Sequence, residues 1–458
     1  MRLEKDSLGE KQVPDEALYG IHTARSLENF HIAGERMPME IIRGIIKIKW
    51  ATARANRTLG LLADDKANAI MDACRRALKG EFDDQFVVDV FQAGSGTSSN
   101  MNVNEVLASV ASESLGGKRG EKKPIHPHDD VNQGTSTNNV FPSAVKIAVL
   151  ELSVALLHNL RRVTSSLRAK EKEFTSIFKS GRTHLQDAVP ITLGQEFGAW
   201  ARALEKDTRR IEAARLKLRE LGLGGNAIGT GVNTKKDFRP VIIRELGTFL
   251  GEVYEGAEDG VEITQFLTDL AEMAAAFKLL AMDLDKLCND LRLLSSGPNT
   301  GFDEVTLPPL EPGSSIMPGK INPSGLEAVN MVCLQVFGLE TAVAMACGAG
   351  QLELNTHMPL IGFNLVKAAK YLAGACELLA EKVLPGIRAN KDVCARNFER
   401  SLGLATVLNP RLGYDRVAEL VTESRRTGKT LRQVVLEQKI LPEDQLNEIL
   451  RHSTGPNL

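Results

Sequence analysis

A mainly α fold built on long packed helices is what the sequence predicts, and three observations carry that expectation. Aromatic residues make up 5% of the chain, too few for the aromatic and β-branched surfaces that sheets favour. Leu, Ala, Glu, Lys and Arg dominate, all good helix formers. Long segments also run without Gly or Pro: neither occurs from Val261 to Leu294, where Phe266, Leu270, Met273, Ala274 and Phe277 recur at helical spacing.

Taken in order, residues 1–135 read as an N-terminal domain of shorter helices, Met39–Leu59 and Asp64–Lys79, with two polar, Gly-rich loops. Residues 136–391 read as a central bundle domain. Its long helices are expected at Ala144–Phe174, Leu193–Leu221, Val261–Leu294 (as one helix), Gly325–Met345 and Leu360–Val383. Several are apolar over much of their circumference, so other helices must cover them, within a subunit or between subunits. Beyond Pro385 the break at Leu408-Asn409-Pro410 and the pattern Leu431–Leu436 mark a small helical C-terminal domain, 392–458. There Leu441–Leu446 reads as a loop capping the last helix.

A chain of 458 residues has room for about three domains. A hydrophobic content of 43%, a charged content of 25% and a formal charge of -2 describe an ordinary globular protein and give no sign of a nucleic-acid or membrane partner. The charged N-terminal stretch Met1–Asp6 lacks the apolar core of a signal peptide, and no run of about 18 uncharged apolar residues stands out, so a cytoplasmic protein is expected. The six cysteines show no CxxC pair and read as reduced core residues. The eight histidines show no helical ligand pair, so neither a metal nor a cofactor is expected.

Chemistry concentrates in a few polar islands. Gly313–Pro323 (GSSIMPGKINP) sets hydroxyls, an ammonium and an amide among Gly and Pro that resist helix. It reads as a mobile loop able to close over an anion, although a plain surface turn has the same composition. Gly94–Glu105 (GSGTSSNMNVNE) and Gly134–Asn139 offer Gly for close backbone approach and neutral donors for a carboxylate; helix N-caps use the same residues. Gly181–Asp187 (GRTHLQD) carries His184 in a hydroxyl- and amide-rich setting at the mouth of a long helix, where a lone His is more often structural. Together the islands suit a small dicarboxylate.

The same motifs carry a family resemblance. GSSIMPGKINP resembles the signature of the fumarase/aspartase superfamily, and GSGTSSNMNVNE and GRTHLQDAVP resemble its two other shared regions, in the same order along essentially the whole chain. The resemblance implies a mainly α, three-domain fold with a central long-helix bundle, a homotetrameric core, and active sites each shared between three subunits. It also implies metal-independent anti elimination and addition beside a carboxylate. By motif position Ser314 would be the general base at C3. Lys320 and Asn322 would hold the neighbouring carboxylate and its aci form, Thr183 and His184 would contact the same end, and Glu327 would orient His184. Thr97, Ser136, Thr137 and Asn138 would hold the other carboxylate and the leaving group. Ser95, Ser315 and Met317, within the same motifs, complete the candidate substrate contacts. His126, His128 and Asp129 resemble a second, non-catalytic dicarboxylate site. The physics fits: deprotonation beside a carboxylate builds a second negative charge that an ammonium such as Lys320 stabilises. A serine acts as base only with help from donors in a closed loop.

Hydration of fumarate and deamination of aspartate share this scaffold. Gly94-Ser95-Gly96-Thr97, His126–Asn132, Gly224-Gly225 and Glu311-Pro312 resemble class II fumarases. Tyr19–Thr23, Gly350–Asn355 and Thr427–Thr430 resemble aspartases. The sequence therefore favours a class II fumarate hydratase, with aspartate ammonia-lyase as the alternative and a non-catalytic helical scaffold as a remote one. Thr135, Asn139, His128 and Asn299 stand where the family usually has Gln, Asp, Asn and Arg.

Overall fold

The computed structural model describes residues 1–313 and 316–454. Sixteen α-helices account for most of them. The first four are α1 (Ile21–Asn29), α2 (Met39–Thr58), α3 (Asp64–Leu78) and α4 (Thr97–Ser114), followed by the longest, α5 (Thr137–Glu173). Next come α6 (Leu193–Lys217), α7 (Phe238–Leu250), α8 (Gly260–Gln265), α9 (Thr268–Leu294), α10 (Ser324–Cys347) and α11 (Met358–Leu378). The set closes with α12 (Lys391–Arg400), α13 (Leu404–Leu412), α14 (Tyr414–Thr427), α15 (Leu431–Glu437) and α16 (Glu443–Arg451). Strands come only as two-stranded pairs. β1 (Arg2–Asp6) with β2 (Gly9–Val13) and β3 (Phe178–Thr183) with β4 (Gln186–Thr192) are antiparallel hairpins. β5 (Glu220–Leu221) pairs β6 (Glu255–Gly256) in parallel, and β7 (Val305–Thr306) pairs β8 (Arg388–Ala389) antiparallel.

Contacts divide the chain into two compact units: Met1–Leu157, Arg209–Ala281 and Leu334–Ala373 form the first, and His158–Thr208, Met282–Cys333 and Gly374–Leu458 the second. The five longest helices, α5, α6, α9, α10 and α11, each contribute residues to both. In the first unit the Ile41, Ile42, Ile45, Ile46 and Ile48 side chains of α2 are fully buried, the largest favourable contribution such a helix can make. A carboxylate from α4 caps α1: Glu105 accepts from the amides of Gly20, His22 and Thr23 and from the Thr23 hydroxyl, satisfying donors that a helix start leaves free. In the second unit α12 to α16 enclose an apolar core of their own that includes Leu408, Leu420, Val435 and Leu446.

Differences from the sequence expectation have local causes. The helix expected over Val261–Leu294 is two, α8 and α9, because Phe266 is extended (φ -103°, ψ 126°) and the Thr264 carbonyl accepts from Asn355 N at 3.5 Å instead of continuing the ladder. Nothing in the local composition marks that tertiary bond. α5 starts at Thr137, ahead of Ala144, since Pro142 falls in the second turn, where one helical bond is lost and the helix survives. α6 stops at Lys217 because Glu220–Leu221 is drawn into β5. The segment expected to cap the final helix instead enters it at Glu443. Two helices, α5 and α10, are long and apolar enough to cross a membrane by length and composition. In the most apolar window 78% of residues are buried for α5 and 33% for α10. The first is therefore a core helix, and the second presents much of its apolar surface outside this chain.

Candidate active site

The candidate residues fall into two groups, one in each unit. In the first unit the N-termini of α4 and α5 meet. The turn Gly94–Gly96 carries Ser95 at φ 61° and Gly96 at φ 89°, the left-handed region where glycine is at ease. A Cβ on Gly96 would lie 2.2 Å from the Phe141 ring of α5, so this glycine lets the two helix starts touch. The Ser95 hydroxyl then donates to Asn138 Oδ1 (2.8 Å) and its amide to Thr356 O (2.8 Å), while Asn138 Nδ2 donates to Ala227 O (2.7 Å). Thr97 opens α4, Thr137 opens α5, and Ser136 precedes it. Neither first turn holds an acidic side chain, which leaves the positive ends of two helix dipoles uncompensated and suited to an anion. Ser95 and Thr137 are buried, with Thr97, Ser136 and Asn138 partly exposed. Ser95 therefore acts here as a strut for Asn138. Gly96→Ala is expected to cost more than the ~1 kcal/mol that a positive φ alone carries, because Phe141 must move as well. Urea unfolding measures this, and parental stability would show that the helix starts are looser than described.

In the second unit Thr183 and His184 sit at the tip of the β3–β4 hairpin, a correction to the expected helix mouth. His184 (φ 54°) and Leu185 (φ 58°) form the two-residue turn, with Thr183 paired to Gln186. Two consecutive positive φ values match the tight turn that suits strand twist, and of the two residues Leu185 is of a type that rarely adopts them. The hairpin is held from below by buried charges. Lys179 Nζ donates to both Glu196 oxygens (2.9 and 2.8 Å) and pairs with Glu304 at 2.8 Å. Arg182 Nη1 and Nη2 bind Glu304 at 3.0 and 2.7 Å, with its guanidinium 4.4 Å from the Phe302 ring centre. Burial raises the Glu196 carboxyl. It pushes Glu304 the same way, yet the bonds from Arg182 and Lys179 leave Glu304 below the ordinary carboxylate range.

The same unit contains a cavity of about 1340 Å³ lined by Lys320, Asn322, Asn289, Arg292 and Ser296. Residues 316–322 are irregular and exposed, and Gly313 packs so closely on Lys320 that a Cβ would lie 1.3 Å from the Lys320 carbonyl oxygen. The segment's ends are thus joined. Ser314 and Ser315 lie outside the described residues. Met317 accepts from the Lys320 amide (3.2 Å). Glu327 pairs with Arg292 at 3.7 Å, and no hydrogen bond joins it to His184 among the described residues. His126 has a local role: its Nδ1 accepts from the amides of His128 (3.3 Å) and Asp129 (3.1 Å), capping the turn Pro127–Val131. Burial and the neighbouring His126 lower the His128 pKa, and Asp129 is exposed. Among the described residues no three His, Cys, Asp or Glu side chains converge as a metal site.

Sequence reasoning passed over Arg292, Lys179, Glu304 and Lys49. Only Lys49 left a sign, as a charge within the isoleucine-rich stretch of α2.

Comparison with known proteins places this geometry. The family described as lyase matches residues 9–338, and the one described as fumarase C C-terminus matches residues 404–454. The aspartate ammonia-lyase of Helicobacter pylori (strain J99) is 41% identical over 98% of this chain and 97% of its own. That of Escherichia coli (strain K12) is 43% identical over 98% and 95%. The crystal structure of the class II fumarase of Schistosoma mansoni matches with a TM-score of 0.96 at 36% identity, covering all of both chains. Fold and motifs thus define a helical lyase. The chain belongs to the fumarase/aspartase superfamily.

Proposed function

We propose that this lyase removes ammonia from L-aspartate to give fumarate, working as a homotetramer in which three subunits build each active site. The observation that carries the dicarboxylate reading is the meeting of two helix N-termini, free of acidic residues, at Ser95 and Asn138. Thr97, Ser136, Thr137 and Asn138 hold one carboxylate and the amino group. Lys320, Asn322, Thr183 and His184 hold the carboxylate beside C3, with Ser315 and Met317 closing the loop over it. Ser314 takes the C3 proton, the electrons pass into the adjacent carboxylate as its aci form, and their return forms the C2–C3 double bond as the C2–N bond breaks and ammonia leaves. Lys320 opposes the charge that develops. Glu327, engaged by Arg292 in its own chain, orients a His184 contributed by another copy.

The ammonia-lyase is put ahead of the hydratase that the sequence favoured because two relatives that align over nearly their whole length, at 41 and 43% identity, are aspartate ammonia-lyases. The hydratase remains the second reading, supported by the class II fumarase likeness and the Gly94–Thr97 motif. Tetramerisation is supported by α10, where Met331, Leu334 and Met345 are 65%, 61% and 73% exposed along one apolar face, a surface that calls for a partner and fits a second copy of the same helix. A cytoplasmic location accords with six free cysteines. The deciding experiment supplies L-aspartate and L-malate separately to the purified protein and follows fumarate by its ultraviolet absorbance. Fumarate from aspartate is expected; fumarate from malate alone selects the hydratase, and none from either removes both.

A further inference from the structure

Lys49 is fully buried on α2 and has no carboxylate partner among the described residues. Its Nζ donates to Asn132 Oδ1 (2.6 Å) and Thr135 Oγ1 (3.3 Å). Amine and ammonium alike supply the two N–H groups these contacts use. Asn132 Oδ1 faces the lysine while its Nδ2 donates to the Thr135 carbonyl (3.0 Å), and Oδ1 also receives Asn100 Nδ2 (3.4 Å) and Asn104 Nδ2 (3.3 Å). Asn100 Nδ2 donates in turn to Thr137 Oγ1 at 2.9 Å. Thr137 Oγ, already accepting from Asn100, keeps its own proton to donate, and no acceptor for it is found among the described residues.

We propose that Lys49 is a positioning residue: together with the Thr135 carbonyl it holds the direction of the chain Lys49–Asn132–Asn100–Thr137, so that the Thr137 hydroxyl meets the substrate carboxylate as a donor. The inference rests on the reading of Thr137 as a substrate contact. Burial without a carboxylate partner pulls the Lys49 pKa down to about 7. The protein thus keeps an amine where an apolar side chain would sit at lower cost.

Lys49→Met keeps the length and removes the donors. The expected result is a KM for L-aspartate raised about tenfold or more, the effect of one lost strong hydrogen bond, with kcat within about threefold of the parent and a melting temperature unchanged or higher. Asn100→Leu, which cuts the chain one link nearer the substrate, is expected to give the same split. Combining either variant with Thr137→Val is expected to add nothing further, as for residues acting in series. If the parent converts L-malate instead, the same comparison is made with malate. A parental KM in both variants, or a lowered melting temperature with kcat lost in proportion, overturns the proposal while leaving the lyase reading intact. A parent that turns over neither substrate and shows no fumarate binding by calorimetry overturns the site reading and this inference with it.

Discussion

Replacing Ser314 by Ala is expected to leave the oligomer unchanged and to lower kcat by about 10²–10⁴-fold, the range a positioned general base contributes. The residue lies outside the described part of the chain, but its frame does not. Gly313 is pressed against the Lys320 carbonyl, and Lys320 lines the cavity beside it. The Lys320 ammonium is the help that the proposed mechanism gives a hydroxyl of ordinary basicity. Steady-state kinetics on L-aspartate, with sedimentation to confirm the assembly, make the test. Parental turnover by the alanine variant would remove Ser314 as the base and leave the C3 proton to another group.

The largest effect on stability is expected at Glu304. This carboxylate is wholly buried and shared between Lys179 and Arg182, so Glu304→Gln leaves the partly buried Arg182 without its carboxylate and Lys179 with Glu196 alone. Breaking a buried ion pair by removing one partner costs about 3–5 kcal/mol, and the midpoint of urea unfolding is expected to fall accordingly. The pH dependence follows from the direction of the shift. The Glu304 carboxyl lies below its ordinary value of 4.5, so its contribution is present above that pH and fades as acid carries the protein through the lower, folded value. The glutamine variant is expected to lose that part of the acid sensitivity. Equal midpoints for variant and parent would mean that solvent reaches this cluster and screens it.

Much of the fold was legible because helices announce themselves through local periodicity. α2 and α3 fall within a residue of their expected bounds, and α10 and α11 begin where the apolar pattern resumes. What escaped depends on partners far along the chain. The break after α8 is made by Asn355, about ninety positions away, and no local residue signals it. The sequence reads His184 at a helix mouth because Leu193 opens a long apolar pattern; the single strand between them, β4, contains Pro190, which weakens a strand reading. Of the candidate site, the sequence marks candidate donors but not the side chains that support them. Thr97, Thr137 and Asn138 stand out as polar islands. Ser95 as a strut, Glu304 beneath the hairpin and Lys49 behind Thr137 become visible only when side chains separated by tens of residues are brought within 3 Å.

The turn at His184 and Leu185 also bears on how this site can change over generations. Arg182 and Thr183 pair with Asp187 and Gln186 across the two-residue turn, with the register shifting only beyond them, between Ser180 and Arg182, and side chains in strands switch faces at every step. A residue inserted at the tip would slide β4 by one place and turn Asp187 and its neighbours to the opposite face, while Arg182 stayed tied to Glu304. Exchanging the side chain at 185 for Asn or Gly meets no such barrier, whereas His184 is held by its proposed place at the substrate. Divergence among descendants of this chain is therefore expected in the letter at 185, with the number of residues at the tip held constant.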